Sequence, residues 1–254
     1  MHVKVFPNKK DMAAAAANLA AGWLRDAIRL NGKAIFVAAT GASQFDFLEA
    51  LTALPDINWE HTCMFHLDEY IGLPEAHPAS FRGYLRQRII DRVHPGDVNL
   101  IQGDATDIQA ELKRLNRLLA ANPVDVAFVG IGENGHLAFN DPPADFTTTD
   151  AYILVNLDDA CRRQQLGEGW FKTIDEVPRQ AISMSIRQII KSTAIVCTVP
   201  DLRKAQAVKD CFTGEITPLH PASILRSHPD CTVFLDKDAA SLLPISVISN
   251  LLGR

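Results

Sequence analysis

The chain has 254 residues, 47% of them hydrophobic and 22% charged, and carries a formal net charge of −5 at neutral pH. That length and apolar content suffice to bury a full core within one domain spanning residues 1–254. The acidic balance argues against a nucleic-acid surface or a membrane-adsorbing protein, and it admits an anionic ligand only where positive side chains gather locally.

The N-terminal stretch has no apolar leader core, and no run approaches the ~20 apolar residues of a membrane span. Val3–Phe6 reads as a short strand, and Ala13–Leu30 as an alanine-rich amphipathic helix with Asp11 as N-cap and Asn31-Gly32 as its stop. Ala34–Ala38 is apolar without alternation, the pattern of a strand buried on both faces. The Thr40–Ser43 loop and a helix over Phe45–Ala53 follow. Thr62–Leu67 reads as a strand, Ile108–Ala121 as a helix and Val124–Val129 as another strand. Ala194–Val199 is a strand leading into a helix capped by Asp201 and ended by Gly214. Cys231–Leu235 is the last strand, before a helix near Ala239–Leu252. Strands alternating with helices predict an α/β fold: an open, mostly parallel, Rossmann-like sheet with helices on both faces. The five cysteines form no C-x-x-C pair, and Cys63, Cys197 and Cys231 sit in strand-like runs as small hydrophobes, as in a reducing cytoplasm.

Open parallel sheets bind ligands beyond the carboxyl ends of their strands. Four clusters fall there: Thr40–Ser43, Asp68–Tyr70, Gly130–Pro142 and Asp201–Lys204. T-G-A-S at Thr40–Ser43 has the composition of an anion cradle at a helix start, or of an ordinary strand-to-helix turn, and lacks the G-K-[ST] of a Walker loop. Gly130–Gly135 is a literal G-x-G-x-x-G, but Pro142-Pro143 cut short any following helix, so a tight turn presenting His136 accounts for it better than a dinucleotide site. His136, near Asn140 and Asp141, is a candidate proton shuttle. Adjacent residues on an extended segment face opposite sides, so one of Asp68 and Glu69 can face a pocket as base while the other holds structure. Arg203-Lys204 offers local positive charge at a helix start, unless it is a solvated surface pair.

Together these segments resemble the glucosamine-6-phosphate deaminase family, of the superfamily shared with 6-phosphogluconolactonases. The resemblance runs over nearly the whole chain. It rests on T-G-A-S at Thr40–Ser43, L-D-E-Y-I-G-L at Leu67–Leu73, H-P-A-S-F at His77–Phe81 and G-I-G-E-N-G-H-L-A-F-N-D-P at Gly130–Pro142. Val177-Pro178 and Lys204-Ala205 complete it. It implies isomerisation and deamination of an amino-sugar phosphate, classed as hydrolase or isomerase chemistry, without metal or organic cofactor. Asp68 is then the base that moves a proton from sugar C2 to C1, and His136 opens the ring with help from Asp141. Gly41–Ser43 and Lys204 hold the phosphate.

The candidate set is thus Asp68, His136, Asp141 and Asn134 for catalysis, with Thr40, Gly41, Ala42, Ser43, Lys204, Glu69, Gly132 and Arg163 for substrate or phosphate. Family members often carry Glu at the position of Asp141, and some carry Asp at that of Asn134, which cannot itself exchange a proton. The family's phosphate-binding arginine has no clean counterpart: an ungapped count from Val177-Pro178 puts Glu168 there, with Arg162 or Arg163 the substitutes one turn away. The expected partner is a small-molecule sugar phosphate, bound by a monomer or homo-oligomer. The alternatives are a lactone hydrolase of the same superfamily and a catalytically silent sugar-phosphate sensor.

Overall fold

The computed structural model describes residues 1–245, 247 and 248. Short apolar runs supply the main sheet: β1 (His2–Phe6), β2 (Ala34–Ala38), β3 (Thr62–His66), β5 (Asp97–Asn99), β6 (Val126–Val129), β9 (Ala194–Val199) and β10 (Cys231–Asp236). Among the described residues these seven strands lie in the order β1-β10-β9-β6-β2-β3-β5, and each neighbouring pair is parallel. A smaller antiparallel sheet pairs β4 (Asp68–Tyr70) with β8 (Gln180–Met184) and β8 with β7 (Tyr152–Asn156). No helix among the described residues is long and apolar enough to cross a membrane.

Helices cover both faces of the main sheet, as alternation of strand and helix predicts. On one face α1 (Lys9–Asn31) and α2 (Phe45–Ala53) bury Ala16, Ala20, Leu24, Leu48 and Leu51 against Phe36, Met64 and Phe128. The same face receives Leu85 and Ile89 from a continuous helical segment made of α3 (Phe81–Leu85), a π turn (Arg86–Ile90) and α4 (Asp91–Val93). On the other face α5 (Ile108–Ala120), α7 (Ile186–Ile190) and α8 (Ala205–Thr213) pack on Val37, Phe65, Val129 and Cys197. A third apolar cluster, with Tyr70, Phe139, Cys161 and Phe171, joins the small sheet to α6 (Asp159–Gly167). All five cysteines are free and buried.

Three sequence expectations are corrected. The first helix begins at Lys9, and its cap is Asn8, whose side chain accepts the Asp11 N–H; Asp11 lies inside the first turn, where its charge suits the helix dipole. Asp201 does not cap α8, because it sits at φ 82° and a 3-10 turn over Leu202–Lys204 intervenes. Its N–H donates instead to the Asp236 carboxylate at 3.1 Å. Of the helix expected near Ala239–Leu252, residues 237–242 form turns, Ile245, Val247 and Ile248 are helical, and 246 and 249–252 lie outside the described residues.

The direction of strand addition reverses between β2 and β6: β3 and β5 follow on one side of β2, while β6, β9 and β10 follow on the other. Loops leaving two such strands diverge and open a crevice at their carboxyl ends. The loops after β9, β6, β2 and β3, four adjacent strands, all reach it.

Candidate active site

A cleft of about 700 Å³ occupies this crevice, lined by Thr40–Ser43, Asp68, Gly132, His136, Glu168 and Lys204 among others. The loop after β2 turns at Gly41, whose φ of 93° is open to glycine and strained for other residues. Ala42 and Ser43 then start a helical turn, so their N–H groups lack intrahelical acceptors and are free for an anion. The loop is held from two sides. Tyr84 donates its hydroxyl to the Gly41 carbonyl at 3.1 Å, and Gln44 Nε2 donates to Thr198 Oγ1 at 2.9 Å.

Lys204 reaches the same end of the cleft from the turn after β9, and only 7% of it is exposed. No carboxylate among the described residues comes within ion-pairing distance of its ammonium. Burial draws that ammonium below the ordinary lysine range, against the attraction of Glu133 and Glu168. A buried cation without a close counter-ion, beside orphan N–H groups, offers the charge and the donors that an anion requires.

Asp68 stands just beyond β3 and lines the cleft, 6% exposed. Burial raises its carboxyl to about 8, and the neighbouring charge of Glu69 adds to the shift. Glu69 is turned the other way, off the cleft and fully buried. It accepts the N–H groups of Tyr70, Phe81 and Arg82 and the Ser80 hydroxyl, at 2.8–3.2 Å, with the Arg82 guanidinium 3.6 Å away. Glu69 therefore fastens the start of α3 to β4 and is corrected from substrate contact to structural anchor. The pleat sends adjacent side chains to opposite sides.

His136 hangs from the turn after β6. Its ring packs so closely on Gly132 that a Cβ there would overlap it, which explains the glycine without any direct ligand role. His136 Nδ1 lies 3.1 Å from Asp141 Oδ1. Asn134 closes the loop on itself: its Nδ2 donates to Asp141 Oδ1 and its Oδ1 accepts the His136 N–H, both at 3.1 Å. The Asp158 N–H donates to Asp141 Oδ2 at 3.2 Å. Burial acts to raise the Asp141 carboxyl, but His136, Asn134 and the Asp158 N–H together hold it below the usual carboxylate range. With Nδ1 beside the Asp141 carboxylate, Nε2 is the ring nitrogen left for proton exchange. Asn140 Nδ2 ties this loop to β8 through the Leu137 and Met184 carbonyls, both at 2.8 Å.

Asn134 and Asp141 stand behind His136 rather than on the cleft wall, within 3.1 Å of its main-chain N–H and of its Nδ1 respectively. Arg163 is also corrected: it is exposed on α6 and lines a separate hollow with Glu133, Asn134 and Arg203. Arg162 is spent inside the protein, donating to the Val177 carbonyl at 3.2 Å. Sequence reasoning missed Gln164, Gln165 and Phe139, all lining the cleft; their only signal was their place near Arg162 and His136. Among the described residues, the grouping with metal-ligand spacing is His136, Asp141 and Cys161, whose ligand atoms lie within 4.8 Å of one another. Burial first, and the nearby Asp141 carboxylate after it, push the Cys161 thiol far up, so the thiol keeps its proton.

The sequence profile described as glucosamine-6-phosphate isomerases/6-phosphogluconolactonase matches residues 7–234. A glucosamine-6-phosphate deaminase of Oenococcus oeni is 36% identical over 212 residues, 84% of this chain and 88% of the relative. One from Lactobacillus delbrueckii subsp. bulgaricus is 38% identical over 207 residues, 81% of this chain and 86% of its own. The solved structure of a monomeric glucosamine-6-phosphate deaminase superposes with a TM-score of 0.88 at 29% identity, covering 95% of this chain and 100% of that one. A Neisseria gonorrhoeae structure named as a putative 6-phosphogluconolactonase shares the fold at 21% identity, with a TM-score of 0.73 over 93% of this chain and 99% of its own.

Proposed function

The chain belongs to the glucosamine-6-phosphate isomerase/6-phosphogluconolactonase family, and from that membership we propose that it converts glucosamine-6-phosphate and water to fructose-6-phosphate and ammonia. The observation that carries this reading is a shared cleft: Asp68 and His136 line the same crevice as Lys204 and the Gly41–Ser43 loop. Deaminase is the name carried by relatives more than 30% identical. The lactonase likeness is one of fold, so deaminase and isomerase chemistry replaces the broader hydrolase label.

The chemistry follows from where each group stands. The phosphate sits on the N–H groups of Ala42 and Ser43 with Lys204 as counter-ion. That anchors one end of the sugar and fixes the distance to the reacting carbons. His136 Nε2 moves the proton between the anomeric hydroxyl and the ring oxygen, opening the pyranose, while Asp141 steadies the imidazolium that forms. Asp68, ionised, takes the proton from C2 and returns it to C1, through an enolamine. Water then adds at C2, ammonia leaves, and a C2 ketone remains. A carboxylate raised to about 8 is a stronger base than an ordinary aspartate, which suits removal of a carbon-bound proton.

Ammonia release over a panel of sugar phosphates tests the reading. Turnover is expected with the 2-amino-2-deoxy hexose 6-phosphate and not with the unphosphorylated sugar. His136→Ala is expected to lose about 10²–10³-fold on closed-ring substrate and much less on an open-chain analogue. Equal losses on both would remove ring opening from His136. Lactone hydrolysis without ammonia release would move the chain to the other branch.

A further inference from the structure

Three ionisable cleft residues, Glu168, Asp201 and Arg203, have no part in the deamination. Glu168 is the C-cap residue of α6 and lines the cleft with Gly41 and Lys204. It also borders an adjoining hollow of about 1,010 Å³ with Tyr84, Arg88 and Trp170. We propose that Glu168 is a specificity-determining residue at the anion end of the cleft, and that it couples the binding of a phosphate there to uptake of a proton by the protein. This inference rests on the phosphate occupying the Gly41–Ser43 and Lys204 end.

Charged groups of both signs face the anion end. Lys204 faces Glu168 across the anion end without a close contact, so the two roughly cancel as seen by a ligand. Arg203 from the same turn is already 3.4 Å from Glu133, which offsets it. Arg88, on the π turn, lies over the Phe45 ring at 4.2 Å. His136 faces from the β6 loop, and Gln164 lies one helical turn before Glu168 on α6, its carbonyl accepting the Glu168 N–H at 3.2 Å. The carbonyl end of α6 adds partial negative charge. While Asp68 and Asp201 also line the cleft, and Glu75 and His77 the adjoining hollow, a phosphate dianion entering this set meets Lys204 together with the Glu168 carboxylate. Protonating the carboxylate removes the repulsion and makes it a hydrogen-bond donor to a phosphate oxygen.

Glu168 is suited to that change. Burial raises its carboxyl above the ordinary range, while Lys204, Gln164, Arg203 and His136 restrain the rise. A dianion beside it raises the carboxyl further. Since the bound state holds its proton to higher pH than the free state, affinity increases as pH falls through that window. An arginine at this end would add attraction at every pH. A carboxylate makes anchoring conditional.

Calorimetric titration with inorganic sulfate, whose charge is fixed above about pH 5, separates protein protonation from phosphate protonation. In wild type, sulfate affinity is expected to fall by up to about tenfold per pH unit where Glu168 titrates, one proton being the limit. Titration in two buffers of different protonation enthalpy should register uptake of up to one proton. Glu168→Gln is expected to bind sulfate at least about fivefold more tightly than wild type at pH 8 and to lose the Glu168 part of the slope. His136 and Asp68, which line the same cleft, are present in both proteins, so the difference between them belongs to Glu168. Equal affinities and parallel pH slopes would overturn the proposal while leaving the phosphate site intact. Absence of sulfate and glucosamine-6-phosphate binding to wild type would overturn the phosphate site itself, and this inference with it. Should Glu168→Gln not fold, zero proton uptake by wild type between about pH 6 and 8 is the overturning result.

Discussion

The β3–β4 junction and the loop after β6 each place a carboxylate out of water, and the two end in opposite electrical states. Asp68 is 6% exposed, accepts no hydrogen bond among the described residues and is raised to about 8, by burial first and by Glu69 second. The Asp141 side chain is 7% exposed, yet it lies below the usual range because His136, Asn134 and the Asp158 N–H converge on its two oxygens. Both carboxylates are largely withdrawn from water, Asp68 more deeply, and of the two Asp141 alone has donors on its oxygens among the described residues. One carboxylate is kept hungry for a proton, as a base must be. The other stays charged so that it can hold a ring.

The contrast is tested most severely by removing the base. Asp68→Asn keeps shape and removes the charge; turnover should fall by about 10⁴-fold, the upper end for general base catalysis, while binding of the sugar phosphate persists by calorimetry. Turnover within about tenfold of wild type would take Asp68 out of the reaction. Next in size is Asp141→Asn, expected to cost about 10²-fold on closed-ring substrate by loosening His136 and altering its tautomer preference, with most activity retained on an open-chain analogue. Equal damage on both substrates would mean that Asp141 supports more than ring opening.

The pH profile sharpens the comparison further. Only ionised Asp68 can accept the C2 proton, and its carboxyl is raised to about 8, so kcat/KM in free enzyme should fall roughly tenfold per unit below that pH. Asp141, held low, stays charged across the same range and adds no limb there. A kcat/KM that is flat from about pH 6 to 8 would show that the base ionises as an ordinary aspartate.

Much of this arrangement is legible in the sequence, and the gaps have physical causes. The strands of the main sheet announce themselves because Ala34–Ala38, Val126–Val129 and Ala194–Val199 are buried almost throughout and hence apolar but for Thr198. The small sheet is hidden. β4 has three residues, two of them acidic, and β8 reads as mixed polarity because Ser183 spends its hydroxyl on the Phe139 N–H and Asn140 inside the protein. The order of clusters at strand ends locates the crevice, since topology alone puts those loops together. It does not tell which of two adjacent acids faces inward. Asp68 and Glu69 exchange roles with a one-residue slip in register, and only the partners waiting at Ser80–Arg82 settle the matter. Arg162 and Arg163 mislead for a similar reason: helical phase sends one into the Val177 carbonyl and the other to solvent.

The smallest effect is the most diagnostic, because it carries a sign. Asp68 binds a proton more tightly folded than unfolded, so between its unfolded value of about 4 and its folded value of about 8 folding takes up a proton, and its contribution to stability declines as pH rises through that window. Above it, the folded protein carries the full cost of a buried, unpaired charge. Asp68→Asn should therefore stabilise the protein at pH 8 by about 0.5–2 kcal/mol, at about 2–4 °C in Tm per kcal/mol, with the gain shrinking toward pH 5. Asp141 runs the other way. Its folded value is depressed, so its contribution is complete above the unfolded value and disappears only as pH drops through the folded one. Asp141→Asn should cost about 1–3 kcal/mol at pH 8, leaving donors that no longer meet a charge. Thermal melts of both variants at pH 5 and 8 decide between accounts. If both substitutions destabilise at pH 8, Asp68 has partners of its own, and the division between a base starved of donors and an anchor supplied with them fails at its root.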